Sequence, residues 1–285
     1  MNGSGNDFII VDNRSELLKN VSVSHLARTI CRRRQSVGGD GLILIGNSKI
    51  ADFKWTFLNA DGSEAEMCGN GGRCAARYAV LNRISGPNLT FETRAGIIGA
   101  EVMNERVKIE LPPAKDLNLH RFISLDDETI SLNTINTGVP HAVIYVEEIE
   151  NVPVTDLGRR IRFHPEFQPA GTNVTFIFVI DDSNVIIRTY ERGVEDETLA
   201  CGTGAVGSAL VSAASGKTKS PVKVKTQGGE VLNVSFQKDE NDSFSQVFLE
   251  GDTCLVFDGI AGEDVWRQYE HAIAKNETVA EKPQK

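Results

Sequence analysis

No stretch of the chain approaches the roughly 18 consecutive apolar residues that a membrane-spanning helix needs. The opening Met1-Asn2-Gly3-Ser4-Gly5-Asn6-Asp7 holds neither a basic cluster nor an apolar segment. No secretory signal is expected there, and the chain is placed in the cytoplasm. Basic charge is in deficit: 30 lysines and arginines face 39 acids, a net charge of −9. That balance argues against nucleic acid and against an anionic membrane surface as partners. Histidine is sparse, five scattered residues with no ligand pair, and no CxxC exists, Cys68 and Cys74 being 74 − 68 = 6 apart. A metal site is therefore not expected. The cysteines are Cys31, Cys68, Cys74, Cys201 and Cys254, and an odd count in a cytoplasmic chain argues for free thiols.

What the chain does hold is a repeat. Its 285 residues suffice for two ordinary domains. Met67-Cys68-Gly69-Asn70-Gly71-Gly72 echoes Ala200-Cys201-Gly202-Thr203-Gly204-Ala205, at an offset of 201 − 68 = 133. The same offset pairs Gly5 with Gly138, Gly38 with Gly171, Thr56 with Thr189, Glu64 with Glu197, Ala76 with Ala209, and Gly96 with Gly229. The chain reads as a duplicated unit that supplies one cysteine per copy.

Alternation and turn residues predict strands over 5–13, 41–45, 54–58, 89–93, 97–103 and 107–111, and helices over 24–34 and 72–81. The second copy repeats the order, with strands over 139–145, 173–180, 185–190 and 222–226 and a helix over 205–214. An apolar helix of small residues wants burial on most sides, which a strongly curved sheet around it provides. The class expected is α/β (α+β): two pseudo-symmetric domains, each a curved, mostly antiparallel sheet or open barrel around a central helix. Pro112-Pro113 is a natural linker. The expected division is 1–113 plus 253–285 against 114–252, with a last strand at 254–257 returning to the first domain and a frayed tail from 274.

A glycine pair between a strand and a helix exposes backbone N–H groups at a positive helix end, which binds anions. A cysteine placed there is favoured as thiolate, its reactive form. Two such ends acting on one substrate clamp a carboxylate and set a sulfur on each side of the neighbouring carbon. One thiolate removes the α-proton and the other thiol returns a proton to the opposite face. The charge that develops on the carboxylate is stabilised by the N–H groups. Cys31, Cys74 and Cys254 lack this setting and are expected in the core.

These strings resemble the diaminopimelate epimerase family, cofactor-independent enzymes of lysine and peptidoglycan synthesis. The resemblance rests on Gly5-Asn6-Asp7-Phe8, on Asn59-Ala60-Asp61-Gly62-Ser63-Glu64 leading into Cys68-Gly69-Asn70-Gly71, on Gly171-Thr172-Asn173-Val174, and on Glu191-Arg192-Gly193 followed by Ala200-Cys201-Gly202-Thr203-Gly204. It implies epimerisation of LL-2,6-diaminopimelate to the meso form, with an active site between the domains, no cofactor, and a homodimer. It implies Cys68 and Cys201 as the acid–base pair and backbone N–H groups of Gly69, Asn70, Gly202 and Thr203 on the reacting carboxylate. It sets Asn6 and Glu191 near the reacting amino group, and Asn59, Asn173 and Arg192 on the distal end of the substrate. His141 is implied as an aid to one cysteine. By the offset of 133, Arg192 falls opposite Asn59 and Glu191 opposite Leu58. Two positions depart from many members: Val139, where asparagine is usual, and Gly41, where some carry glutamine. The residues alone leave open the same chemistry on another amino acid, and a thiol redox protein in which Cys68 and Cys201 form a reversible disulfide.

Overall fold

A computed structural model describes residues 1–126, 128–241 and 243–280. The chain divides into two compact units, Met1–Val107 with Thr253–Lys285, and Lys108–Asp252.

The first unit opens with β1 (Asn2–Gly3) and β2 (Asn6–Asp12), followed by α1 (Val23–Ile30), β3 (Gly41–Gly46) and β4 (Phe53–Asn59). Then come α2 (Gly69–Leu81), β5 (Asn88–Thr93), β6 (Gly96–Met103) and β7 (Arg106–Glu110), which carries the chain into the second unit. The strands lie in sequence order, β1 to β7. β2 runs parallel to β3 and β4 to β5, while β3/β4 and β5/β6 are antiparallel. Strand alternation sends Leu42, Leu44 and Leu58 to one face, under α1. Ile43, Trp55 and Phe8 meet the first turn of α2 on the other, a Cβ at Gly71 lying 3.3–3.5 Å from their side chains. Phe57 joins them through an edge contact with Phe8 and a tilted ring contact with Trp55.

The second unit holds β8 (Lys115–Leu125), β9 (Glu128–Asn136), β10 (Pro140–Tyr145), α3 (Val154–Arg162), β11 (Asn173–Val179) and β12 (Asn184–Glu191). It continues with β13 (Asp196–Thr198), α4 (Gly202–Ala214), β14 (Val222–Lys225), β15 (Val231–Lys238) and β16 (Phe244–Asp252). Its strand order is β16-β15-β14-β12-β11-β10-β9-β8, with β13 beside β12. Again β10/β11 and β12/β14 are parallel and β11/β12 antiparallel. α3 covers the outer face, with Val154 and Ile161 against Ile144, Phe176 and Tyr190. α4 is composed of Gly, Ala, Ser, Thr, Val and Leu, is buried from Gly204 to Ala213, and touches seven strands of its unit. The curved sheet expected around a small-residue helix is found here.

Both central helices begin three residues before the predicted starts and span equivalent positions, 202 − 69 = 214 − 81 = 133. The offset is not uniform between them. Phe8 pairs with Gly41, but His141, its equivalent at 133, pairs with Asn173, which is Gly41 at 132. Gly41 pairs with Asn59 and Val174 with Tyr190. Carried one residue along, that register sets Asn173 across from Glu191. Strands β3/β11 and β4/β12 are thus related by 132. Asn59 corresponds to Glu191 and Leu58 to Tyr190, which corrects the correspondence read from a constant 133. One consequence is chemical: the inner-face residues Phe8, Ile43 and Phe57 of the first unit are replaced by His141, Thr175 and Thr189 in the second.

Three further expectations change. Cys254 forms a backbone bridge with Asn2, which returns the chain to β1, but it is exposed and the strand does not extend to 257. The frayed tail gives way to α5 (Glu263–Ala280), whose buried Tyr269 accepts a hydrogen bond from the Ser22 N–H at 2.8 Å; residues 281–285 lie outside the described residues. Strands β1, β8, β9, β13, β15 and β16 and helices α3 and α5 lie outside the elements expected from sequence.

Candidate active site

In the first unit Cys68 is the N-cap of α2, with extended backbone (φ −143°, ψ 117°). Its sulfur accepts the Gly71 N–H at 3.5 Å. That bond occupies the place a serine or aspartate side chain takes in an ordinary cap. The N–H groups of Gly69 and Asn70 lie in the unpaired first turn of the helix, where no intrahelical acceptor exists. Asn6 sits at the start of β2 and receives a hydrogen bond from Asn70 Nδ2 at 2.8 Å. Asn59 ends β4; its Nδ2 donates to Ser63 Oγ at 3.0 Å inside the Asn59–Ser63 turn.

The second unit repeats the cap with Cys201 (φ −119°, ψ 109°), whose sulfur accepts the Gly204 N–H at 3.4 Å. Thr203 Oγ1 lies 3.4 Å from the sulfur and 3.0 Å from His141 Nε2. Glu191, at the end of β12, is hydrogen-bonded to Cys201 and accepts from Thr198 Oγ1 at 3.0 Å. Burial pushes its carboxyl above the ordinary range, and the bonds from Thr198 and Cys201 oppose that shift. Beside Cys201 thus stand a carboxyl and a hydroxyl, and the hydroxyl is bonded in turn to an imidazole.

The hydrogen-bond partners settle the state of that imidazole. Asn173 Oδ1 accepts the Arg192 backbone N–H at 2.7 Å, so its Nδ2 is the atom 3.3 Å from His141 Nε2. Nε2 then carries the lone pair, and the proton sits on Nδ1, facing Thr175 Oγ1 at 3.4 Å. His141 is 1% exposed, and burial, aided by the Arg192 charge, pulls its pKa from 6.5 down to about 3. The folded protein therefore holds His141 neutral while the unfolded chain protonates it near 6.5. Stability from this group is present above 6.5 and is lost as pH falls from there toward 3, at up to ~1.4 kcal/mol per pH unit. Denaturant titrations at pH 6, 5 and 4 should show that slope, and His141→Gln should flatten it by one proton. Equal slopes in both proteins would refute a neutral, buried imidazole.

Asn173, implied for the distal end of the substrate, is 3% exposed and has both amide ends engaged, on His141 and on Arg192. Arg192 follows directly after β12, and its Nη1 donates to Ala170 O at 2.9 Å. Gly41 has a steric reason: a Cβ there would lie 2.5 Å from Phe57 Cε2 and 2.8 Å from Leu58 O, so Phe57 fills the space a longer side chain needs. Val139 lies in the bend before β10, its carbonyl accepting the Thr137 N–H at 3.2 Å. Burial pushes the thiols of Cys31 and Cys74 up to about 11 and about 12, as befits inert core cysteines.

Some residues of these clusters were not singled out from sequence: Thr175 and Thr198 in the second unit, and in the first Ser4 and Arg73, the latter fully buried in α2. The signal for Arg73 was present, a lone cation between Gly71-Gly72 and Cys74-Ala75-Ala76 in a helix otherwise built for burial.

The family model described as diaminopimelate epimerase matches residues 1–115 and 133–253. A diaminopimelate epimerase of Aquifex aeolicus (strain VF5) is 48% identical over 277 residues, covering 93% of this chain and 97% of the relative. One from Hydrogenobaculum sp. (strain Y04AAS1) is 42% identical over 276 residues, at 93% and 98% coverage. Among solved structures, a probable proline racemase from Agrobacterium radiobacter K84 superposes with a TM-score of 0.65 at 18% identity, covering 93% of this chain and 96% of its own. A hydroxyproline epimerase from Agrobacterium vitis gives a TM-score of 0.63 at 17% identity, at 94% and 96% coverage. At these identities the two structures speak for the fold alone.

Proposed function

The chain belongs to the diaminopimelate epimerase family, and from that premise we propose that it interconverts LL- and meso-2,6-diaminopimelate with Cys68 and Cys201 as its two bases. The observation that carries the reading is the matched cap: each cysteine starts a thirteen-residue helix, and each sulfur accepts the N–H of the third residue on. A thiolate so placed is stabilised by the helix dipole and remains available to a proton. In the reaction one sulfur, as thiolate, takes the α-proton. The electron pair left on carbon delocalises into the adjacent carboxylate. The other sulfur, as thiol, gives its proton to the opposite face, and the two exchange protonation states with each turnover. The first-turn N–H groups of Gly69, Asn70, Gly202 and Thr203 hold the carboxylate as charge develops on it.

The surroundings of Cys201 support the remaining roles. We assign Glu191, its carboxyl hydrogen-bonded to that sulfur, to the α-ammonium beside the reacting carbon. With the Cys201 thiol proton directed to Glu191, Thr203 Oγ1 donates to the His141 lone pair, and it turns that proton to the sulfur once the sulfur is a thiolate. His141 works as a neutral acceptor in this scheme. Arg192, a planar fork suited to carboxylates, takes the distal carboxylate together with Asn59, and Asn173 acts by holding the backbone of Arg192. The scheme invokes no cofactor or metal. We also assign the enzyme to the cytoplasm as a homodimer acting on a small molecule. The net charge of −9 agrees with a partner other than nucleic acid, and among the described residues no helix is long and apolar enough to cross a membrane.

The test is incubation of LL-diaminopimelate with the protein in deuterated water. The expected result is meso product with one deuterium at the inverted carbon. Absence of both product and α-deuterium would refute the activity, and inversion that retains the original α-hydrogen throughout would refute the two-base route.

A further inference from the structure

α2 is lined with glycine and alanine, yet at its fifth position it buries an arginine completely. The Arg73 guanidinium donates through Nη1 to Gly69 O at 3.3 Å, and through Nη2 to Asn70 Oδ1 at 3.0 Å and to Ser4 Oγ. An arginine side chain has five donors and no acceptor. The atom of Asn70 that faces it is therefore oxygen, and the amide of Asn70 has one allowed orientation. Its Nδ2 is turned the other way, onto Asn6 at 2.8 Å. Because Nδ2 only donates, the atom of Asn6 that meets it is again oxygen. Two amides are thus set in series by one buried cation, and the group left to Asn6 is its NH2.

The backbone holds the same three residues together. Ser4 (φ 53°) and Gly5 (φ 85°) form the two-residue turn between β1 and β2, with both residues left-handed as a type I′ hairpin requires. Arg73 grips the first of them. β1 approaches α2 so closely that a Cβ at Gly3 would lie 2.9 Å from Cys74 Sγ and 3.0 Å from Asn70 O. The hairpin that carries Asn6 and the helix end that carries Cys68 therefore form one rigid piece.

We propose that Arg73 is a positioning residue that turns Asn6 so that its amide NH2, a donor, faces the reacting carboxylate of the substrate. The inference rests on the reading of the Cys68 helix end as a carboxylate site. It differs from the role the family resemblance gives Asn6, near the reacting amino group, because an ammonium needs an acceptor and the acceptor of Asn6 is spent on Asn70. A donor at this place gains strength as the carboxylate takes up the charge left by the α-proton, so its contribution falls on kcat more than on KM.

Three measurements test it. Asn6→Asp keeps the acceptor for Asn70 and replaces the NH2 by an acceptor. We expect kcat to fall by ~100-fold or more, the size seen when one donor to a developing oxyanion is lost. Retained kcat with a lowered KM would show Asn6 binding the ammonium and would overturn the proposal. A double-mutant cycle pairs Arg73→Met with Asn6→Ala. If Arg73 acts through Asn6, its loss costs on the order of tenfold in kcat in the native background and little in the Asn6→Ala background. Fully additive losses would reduce Arg73 to a structural role and overturn it. Neutron diffraction of the unaltered protein reads the Asn6 amide directly, whether or not Arg73→Met folds. An NH2 turned away from Asn70 is required, and an oxygen there refutes the relay. Failure of the unaltered enzyme to turn over diaminopimelate would count against the activity and leave the amide reading to the neutron map.

Discussion

Cys201→Ala and Cys68→Ala should each lower the interconversion of LL- and meso-diaminopimelate by at least ~10³-fold, the upper part of the range for a lost general acid or base. The cause is symmetry of need: inversion requires a proton taken from one face and another given to the opposite face, so neither sulfur can cover for its twin. The double variant should be little worse than either single one, because groups that act as a unit are not additive. A second readout separates this scheme from a merely structural role for the thiols. With one sulfur left, the remaining thiolate still removes the α-proton from the stereoisomer that presents it and returns a solvent-derived proton to the same face. Each single variant should therefore wash deuterium into one stereoisomer only, with retention of configuration, and the two variants should select opposite stereoisomers. Wash-in by both variants into the same stereoisomer would contradict the assignment of one cysteine per face. It would leave Cys68 and Cys201 as caps of their helices and nothing more.

Arg192→Met should lower kcat/KM for diaminopimelate by ~100-fold, mostly through KM, as expected for a charge pair whose loss leaves the other charge unmatched. The guanidinium is oriented from two sides. Asn173 fixes its backbone N–H at 2.7 Å, and Ala170 O receives Nη1 at 2.9 Å. A carboxylate bound there is held by a preset fork. A substrate with the same reacting centre but no distal carboxylate should be poor for the native enzyme, since the fork is then left unpaired. In Arg192→Met the gap between the two substrates should close. Arg192→Lys should recover only part of the loss, a point charge lacking the fork. An unchanged preference in the methionine variant would move distal recognition away from Arg192. It would also reopen the choice among amino-acid substrates that the residues alone leave unsettled.

Much of this is legible in the sequence. The two Cys-Gly strings are local signals, and they mark the two helix caps the structure contains. The inner strands showed as short β-branched and aromatic runs, and β3, β4, β11 and β12 were placed within two residues at each end. Both central helices were expected to start late because Gly69, Gly71, Gly202 and Gly204 read as turn. Glycine is tolerated in those first turns because the sheet approaches them closely: Gly204 faces Thr175 Oγ1 and Thr189 Oγ1 at 3.0 and 3.1 Å from a Cβ. α3 was missed because its nine residues are mostly polar and include Gly158, whose absent side chain makes room for Tyr190. α5 carries an apolar stripe, Val265, Tyr269 and Ile273 at four-residue spacing, and these side chains pack into the cluster under α1; it lies in a stretch that reads as a polar tail because the stripe is narrow and set among charged residues.

What no pattern could supply was pairing. The constant offset of 133 gave the right duplication and the wrong partner for Asn59, because one residue is lost between the copies before β11 and regained before α4. Only strand register reveals that, and with it the exchange of Phe8, Ile43 and Phe57 for His141, Thr175 and Thr189. A duplicated apolar face has become, in the second copy, a chain of hydrogen bonds running to a thiol. The tautomer of His141 and the amide orientations of Asn173 and Asn70 likewise follow from donor and acceptor bookkeeping, which needs distances.

The most direct measurement is a crystal structure with an unreactive diaminopimelate analogue bound. The account predicts the α-carbon between two sulfurs, those of Cys68 and Cys201, on opposite faces and each within roughly 3.5 Å, the separation of a near-attack arrangement. Both sulfurs on one face of that carbon, or either one out of reach with the analogue fully seated, would contradict it.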